Sequence, residues 1–344
     1  MMTEDRAKQI ITKTKKEMGK ELVILGHHYQ CDKVIEFADY VGDSLELARK
    51  VSQMRDAKII IFCGVYFMAE TASILAPDKY VYIPDEKAGC LLADMAPIEL
   101  ANKAWETIIK YATNVTPITY VNSSAEIKAL CGKNGGSVCT SGNSAKVFKW
   151  VLQQDKKIFF LPDRNLGRNS AHALGVPDSE IIEWNPYLHM GGHNIKSIQD
   201  ARIILWRGWC PIHWPTFTTY DIENIRKSFP GIKVIVHPEA DPETIKNSDA
   251  SGSTSSIINF IEEQQPGSKV AVGTEFNMVN RLAQKKDGMV EILPLDKVTC
   301  EDMGKITLEK LAKCLANLKK CNRVIVSPSV AKYAKKALEK MLRI

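Results

Sequence analysis

LVILGHHYQCDKVIEFADYVGDSLELARKVSQMRDAKIIIFCG, residues 22–64, decides the fold class. Leu22–Leu25 and Lys58–Phe62 are short runs rich in β-branched and apolar residues, which suit buried strands. Val34–Met54 between them repeats its apolar residues at a helical period. A strand, an amphipathic crossover and a second strand make the repeating unit of α/β domains with parallel sheets. The alternation continues outward. Further strands are expected at Tyr80–Ile83, Pro117–Val121, Lys157–Leu161, Glu180–Glu183, Ile232–Val236, Lys269–Val272 and Val290–Leu293, with helical patterns such as Ala125–Leu130 between them.

A weak internal repeat runs through this alternation. The first third reads VILGHHYQ, GDSLELA, KIIIF and YVYIP, and ends at Cys90. The second reads PITYVNSSAEIKA, CTSGNSA, KIFFLPD and EIIEW, and ends at Cys210. The third reads KVIVHPE, SGSTSS, KVAVGTE and VEILPL, and ends at Cys300. Each third opens on a strand with polar residues at its carboxyl edge, passes a Ser/Thr-rich helix start and closes on a cysteine. Three related α/β domains are expected, with ligands beyond the carboxyl ends of the strands.

Composition narrows the class of function. The 344 residues are 45% hydrophobic and 25% charged, the balance of a globular protein. The longest strongly apolar stretch, Ile59–Ala69, is far shorter than the ~20 residues a bilayer requires, so no membrane span is expected. The first twenty residues carry charges throughout and lack the apolar core of a signal peptide. Nine cysteines without an export signal argue for thiols or metal ligands in a reducing cytoplasm, not a disulfide framework. The net charge of +6 is dispersed, which disfavours nucleic acid and suits small anionic substrates.

Most of the cysteines read as small buried hydrophobes, including Cys31, Cys63, Cys131, Cys139, Cys314 and Cys321. Cys90, Cys210 and Cys300 differ. They follow strand-like segments in the loops AGCLLADM, GWCPIH and VTCEDMG, where a thiolate can reach a metal. None belongs to a C-x-x-C pair, so spacing alone does not identify the metal. Ser44, Ser141 and Thr254 stand at helix starts, where backbone N–H groups favour a carboxylate or phosphate; an ordinary N-cap is the plain alternative. His27 and Tyr29, Tyr120 and Asn122, and His237 and Glu239 follow strands as polar and titratable groups, suited to moving protons near neutral pH.

These residues lie in a series of motifs: LGHHYQ (25–30), GDSLELAR (42–49), FMAETA (67–72), GCLLADM (89–95), TYVNSSAEIKA (119–129), PDRNLG (162–167), GWCPIH (208–213), HPEA (237–240), SGSTS (251–255), GTE (273–275) and CEDMGKITLEKL (300–311). In that order they resemble the quinolinate synthase family over nearly the whole chain. The chain departs from the family pattern at His28, where Asn is usual, and at Cys131–Val138, which is longer and richer in glycine.

The resemblance implies three similar three-layer αβα domains around a pseudo-threefold axis. Their spans would be residues 1–97 with about 301–344, 98–213 and 214–300. It implies one [4Fe–4S] cluster on Cys90, Cys210 and Cys300, with one iron lacking a protein ligand and acting as a Lewis acid. The implied reaction condenses iminoaspartate with dihydroxyacetone phosphate to quinolinate, with loss of phosphate and water, on the way to NAD. His27, Ser44, Tyr120, Asn122, Ser141, His213, His237, Glu239 and Thr254 would bind substrate, and Tyr29, Tyr120, His237 and Glu239 would be the acid/base groups. An enzyme supplying iminoaspartate is an expected partner; nucleic acid and membrane are not.

Two other readings use some of the same residues. HMGGHN (189–194) places His189 and His193 four apart and could join Cys210 and His213 around a hydrolytic zinc, but the glycine pair spoils a helix there and no general-base Glu lies nearby. The Ser/Thr loops alone could form a non-catalytic anion-binding module.

Overall fold

The computed structural model describes residues 2–344. Three sheets dominated by parallel pairs and flanked by helices give the α/β class that the alternation predicts. The chain packs into two compact units. Residues 2–90, Glu223–Ile235 and Thr254–Val326 form the first; Leu91–Ile222, Val236–Ser253 and Ser327–Ile344 form the second.

After the helix Glu4–Met18, the first unit lays down Leu22–His27 (β1), Tyr40–Gly42 (β2), Ile59–Cys63 (β3) and Tyr80–Ile83 (β4), paired in parallel in the order β4-β3-β1-β2. Leu22 lies opposite Ile59 and Gly26 opposite Cys63. Both central strands are almost wholly buried, which is why their sequences run apolar without alternation.

In the second unit Val115–Tyr120 (β5), Ser137–Cys139 (β6), Lys157–Leu161 (β7), Ile181–Trp184 (β8) and Ile203–Trp206 (β9) form a sheet in the order β6-β5-β7-β9-β8, parallel throughout. Trp105, Phe159, Trp184 and Trp206 fill the core on one face, each worth roughly 1.5–3 kcal/mol or more of burial. All five strands point the same way, so Tyr120, the Pro162–Asp163 turn and the loop bearing Cys210 leave the same edge.

The chain then lays down Lys233–Val236 (β10), Ala250–Ser251 (β11), Lys269–Gly273 (β12), Glu291–Pro294 (β13) and Asn322–Arg323 (β14). In the first unit β12 lies between β10 and β13. β14 adds to the first sheet as an antiparallel edge, Asn322 opposite Ile83. β11 belongs to the second unit, where the Gly252 N–H donates to the Val236 carbonyl at 3.1 Å.

Several local expectations are corrected. Val34–Met54 is not one helical stretch: Asp32–Ile35 is a single turn, β2 intervenes, and Ser44–Gln53 is the true helix. A capping box starts it, with Asp43 accepting from Leu45 and Glu46 N–H while the Glu46 carboxylate accepts from Asp43 N–H. Strands β2, β6, β9, β11 and β14 were not anticipated; four of them are only two or three residues long, and β9 is a buried run without alternation. Cys314 and Cys321, read as thiols, form a disulfide. The short turn Leu318–Lys320 after the helix Leu308–Ala316 brings their Cα atoms to 4.8 Å.

The glycine-rich departure at 131–138 also has a physical cause. The helix Pro328–Arg343 packs on the helix Ala125–Lys133 so closely that a Cβ on Gly132 would lie 1.9 Å from the Tyr333 carbonyl oxygen. A Cβ on Gly136 would lie 1.8 Å from that of Pro117, and Gly135 turns the chain at φ +74°. No helix among the described residues is long and apolar enough to cross a membrane.

Candidate active site

In the second unit, the strand edges and the loop after β10 bring four of the sequence-derived residues together. Glu239, His213, His237 and Tyr120 are all buried. His213 Nδ1 lies 2.6 Å from Glu239 Oε2, and the imidazoles of His213 and His237 stack with centroids 4.2 Å apart. His237 Nδ1 stands 3.7 Å from the same carboxylate, and Tyr120 hydrogen-bonds to it. The loop is held from beneath: Asn165 donates to the Glu239 carbonyl at 3.2 Å, and Asn169 to those of Pro238 and Ala240 at 2.9 and 2.8 Å.

The charges follow from these contacts. Burial pushes Glu239 up, but His237, His213 and the hydrogen bonds from His213 and Tyr120 outweigh it and hold the carboxylate at about 2. Burial holds His237 neutral, down at about 3; His213 adds to this and Glu239 opposes it. The Glu239 N–H donates to His237 Nδ1 at 3.4 Å, which selects the tautomer carrying its proton on Nε2. The result is an ionised carboxylate beside a neutral imidazole in a dry site, an arrangement able to pass protons.

Cys210 leaves the same edge. One donor atom each from Cys210, His213 and Glu239 falls within 4.8 Å of the others, the one such group among the described residues. Of the residues in the zinc alternative, His189 and His193 take no part: His189 is exposed and His193 Nε2 bonds the Glu183 carbonyl at 2.8 Å. Asn122 Oδ1 is buried without a hydrogen-bond partner, an acceptor that a ligand donor would satisfy. Ser141 is half-buried and lines a cavity of about 610 Å³ with Ser144, Asn169, Lys246 and Ser251.

In the first unit, His27 and Tyr29 repeat the local device of His237 and Glu239. The Tyr29 N–H donates to His27 Nδ1 at 3.1 Å, again leaving the proton on Nε2. The Tyr29 hydroxyl lies 2.7 Å from Thr274 Oγ1. Arg281 clamps the loop, donating to the His28 and Gln30 carbonyls at 2.7 and 2.9 Å and pairing with Asp32 at 3.2 Å. Ser44 begins its helix but does not cap it, since Asp43 does; the Ser255 hydroxyl donates to Asp43 at 2.7 Å, next to buried Thr254. His28, the departure from the family pattern, stands 3.7 Å from Glu46.

The cysteines separate into two kinds. Cys63, Cys131 and Cys139 are fully buried, and burial pushes their thiols far up. Cys90, Cys210 and Cys300 carry no disulfide, are partly exposed and lie in loops at strand edges, as does Cys31 after β1. Three thiols outside any disulfide in such loops are compatible with an iron–sulfur cofactor. Burial, first among its causes, raises Cys300 to about 11, so a thiolate there calls for a metal to displace its proton.

Sequence reasoning missed Asp163 and Glu275. Each is buried, follows a core strand and caps the next helix. Their signal was present as a carboxylate between a strand and a helical pattern within PDRNLG and GTE.

Comparison with known proteins agrees with these observations. The family model described as Quinolinate synthetase A protein matches residues 9–343. The quinolinate synthase of Bacillus licheniformis is 44% identical, with 100% of this chain and 94% of that one aligned. Those of Bacillus anthracis and Bacillus cytotoxicus are 43% and 44% identical, with 99% of this chain and 94% of each aligned.

Proposed function

Because the chain belongs to the quinolinate synthase family, we propose that it condenses iminoaspartate with dihydroxyacetone phosphate to quinolinate, releasing phosphate and water, as a step toward NAD. Cys90, Cys210 and Cys300 hold one [4Fe–4S] cluster, which when bound supplies a Lewis-acidic iron without a protein ligand. The enzyme works in the cytoplasm beside a partner enzyme that supplies iminoaspartate, since the imine hydrolyses readily in water.

The observation that carries this reading is the buried Glu239 carboxylate held between His213 and Tyr120 beside a neutral His237. Loss of phosphate, keto–aldo interconversion and ring closure all move protons. Glu239 supports positive charge developing on His213, and Tyr120 and His237 exchange protons with the substrate chain. Tyr29, placed by Thr274, is a further acid/base group. Ser44, Ser141 and Thr254 bind the carboxylates, with His27 and Asn122 adding polar contacts.

The test is an anaerobic assay of protein carrying iron and sulfide, with freshly generated iminoaspartate and dihydroxyacetone phosphate. Quinolinate must form and phosphate must appear with it. A full cluster with no quinolinate would sink the reading.

A further inference from the structure

Three helices following core strands begin in the same way. The first N–H of each donates to the carbonyl two residues before a candidate cluster cysteine. These bonds are Tyr66 to Ala88 at 2.7 Å, Arg164 to Gly208 at 2.9 Å and Phe276 to Val298 at 2.8 Å, ahead of Cys90, Cys210 and Cys300. The residue just before each donor caps its helix, and there the three differ.

Asp163 and Glu275 are fully buried carboxylates. Asp163 Oδ1 accepts from Leu166 N–H at 2.7 Å while Oδ2 accepts from Cys210 N–H at 3.1 Å. Glu275 Oε2 accepts from Met278 N–H at 3.2 Å, and the carboxylate also hydrogen-bonds the Cys300 N–H. The corresponding residue before Tyr66 is Val65, buried and without an acceptor in its side chain.

We propose that Asp163 and Glu275 are positioning residues for Cys210 and Cys300: each carboxylate ties a cysteine loop to a helix start and so presets the thiol before the cluster arrives. This rests on the cluster reading above. Two fixed points, one from the carboxylate to the cysteine N–H and one from the helix N–H to the carbonyl two residues earlier, leave the loop little freedom to swing. Held in this way, each cysteine gives up less conformational freedom when it binds metal. The same bonds engage the cysteine N–H groups, which otherwise could point at cluster sulfur and alter its potential. At Cys90 the Val65 position can offer only the backbone point.

Serine tests this cleanly, because it remains a good N-cap but is too short to reach the cysteine. In cluster-free protein, a brief pulse of iodoacetamide followed by peptide mass analysis reads each thiol separately. Asp163→Ser should raise Cys210 alkylation roughly tenfold, the value of one lost hydrogen bond, with Cys90 and Cys300 unchanged. Glu275→Ser should do the same for Cys300 alone. Reconstituted Ser variants should also lose iron to a chelator faster than the parent. The idea is overturned if the target cysteine does not respond. It is equally overturned if the buried thiols Cys63, Cys131 and Cys139 become labelled in parallel, since that reports loosening of the whole unit. Failure of the cluster reading would look different: Cys90, Cys210 and Cys300 of the reconstituted parent would then stay open to alkylation.

Discussion

His213 Nδ1 and Glu239 Oε2 lie 2.6 Å apart with both side chains only 2% exposed. A contact this short in so dry a setting makes the charge on Glu239 matter far more than at a surface. Replacing Glu239 with Gln keeps the shape and removes the charge, so turnover should fall at least a hundredfold while iron and sulfide content stay at the parent level. Tyr29→Phe should likewise lose most turnover. Mass analysis after acid quench should find a condensed, non-aromatic intermediate in the stalled variants. Near-normal rates with a full cluster would shift the proton transfers to His237 and Tyr120.

Replacing Cys90, Cys210 or Cys300 with Ser should abolish or severely reduce cluster retention, read from iron and sulfide counts and the visible spectrum. Cys63→Ser should retain the cluster, because that thiol is buried within β3. The opposite pattern would refute the ligand set.

Glu46 gives a pH signature in the first unit. The His28 imidazole, 3.7 Å away, leads the causes that hold it at about 2, below its ordinary 4.5, against the effect of burial. A lowered carboxylate contributes stability that is present above pH 4.5 and lost as pH falls through about 2. Its side chain is half-exposed, so screening cuts the effect to about 1 kcal/mol. Glu46→Gln, which still accepts from Asp43 N–H, should lower stability by that amount at pH 7 in urea titrations. The gap should close near pH 2; a gap independent of pH would mean the charge plays no part.

Gly132 and Gly304 should respond oppositely to alanine. At Gly132 the new methyl would meet the Tyr333 carbonyl, so about 3 kcal/mol should be lost and proteases should gain access to the 328–343 helix. At Gly304 nothing lies within 4 Å, and the change should be neutral or stabilising by up to ~1 kcal/mol. Equal responses would contradict the close helix contact.

The long buried strands were legible in the sequence because β1, β3, β7 and β12 are unbroken apolar runs. Edge strands such as β2 and β14 were not, since two or three residues carry no period; pairing partners define them. Polar residues at strand ends marked Tyr120, His237 and Glu239, the family resemblance added His213, and the structure brings these four together. Asp163 and Glu275 escaped notice because a capping carboxylate looks the same in sequence whether or not it also reaches a loop forty-odd or twenty-odd residues away. The glycines at 132 and 136 were visible as a departure, but their cause lies in carbonyls at 333 and 117 that no local pattern connects to them.

The helix Pro328–Arg343 completes the unit that opens at Leu91. A ribosome delivers residues in order, so Ala125–Lys133 emerges about two hundred residues before the helix that covers it. Until then an apolar helix face stays open to water and to other nascent chains, a window in which chaperones can act. The packing of Ala125–Lys133 is therefore finished only once residue 343 has been made, however early its own residues emerge.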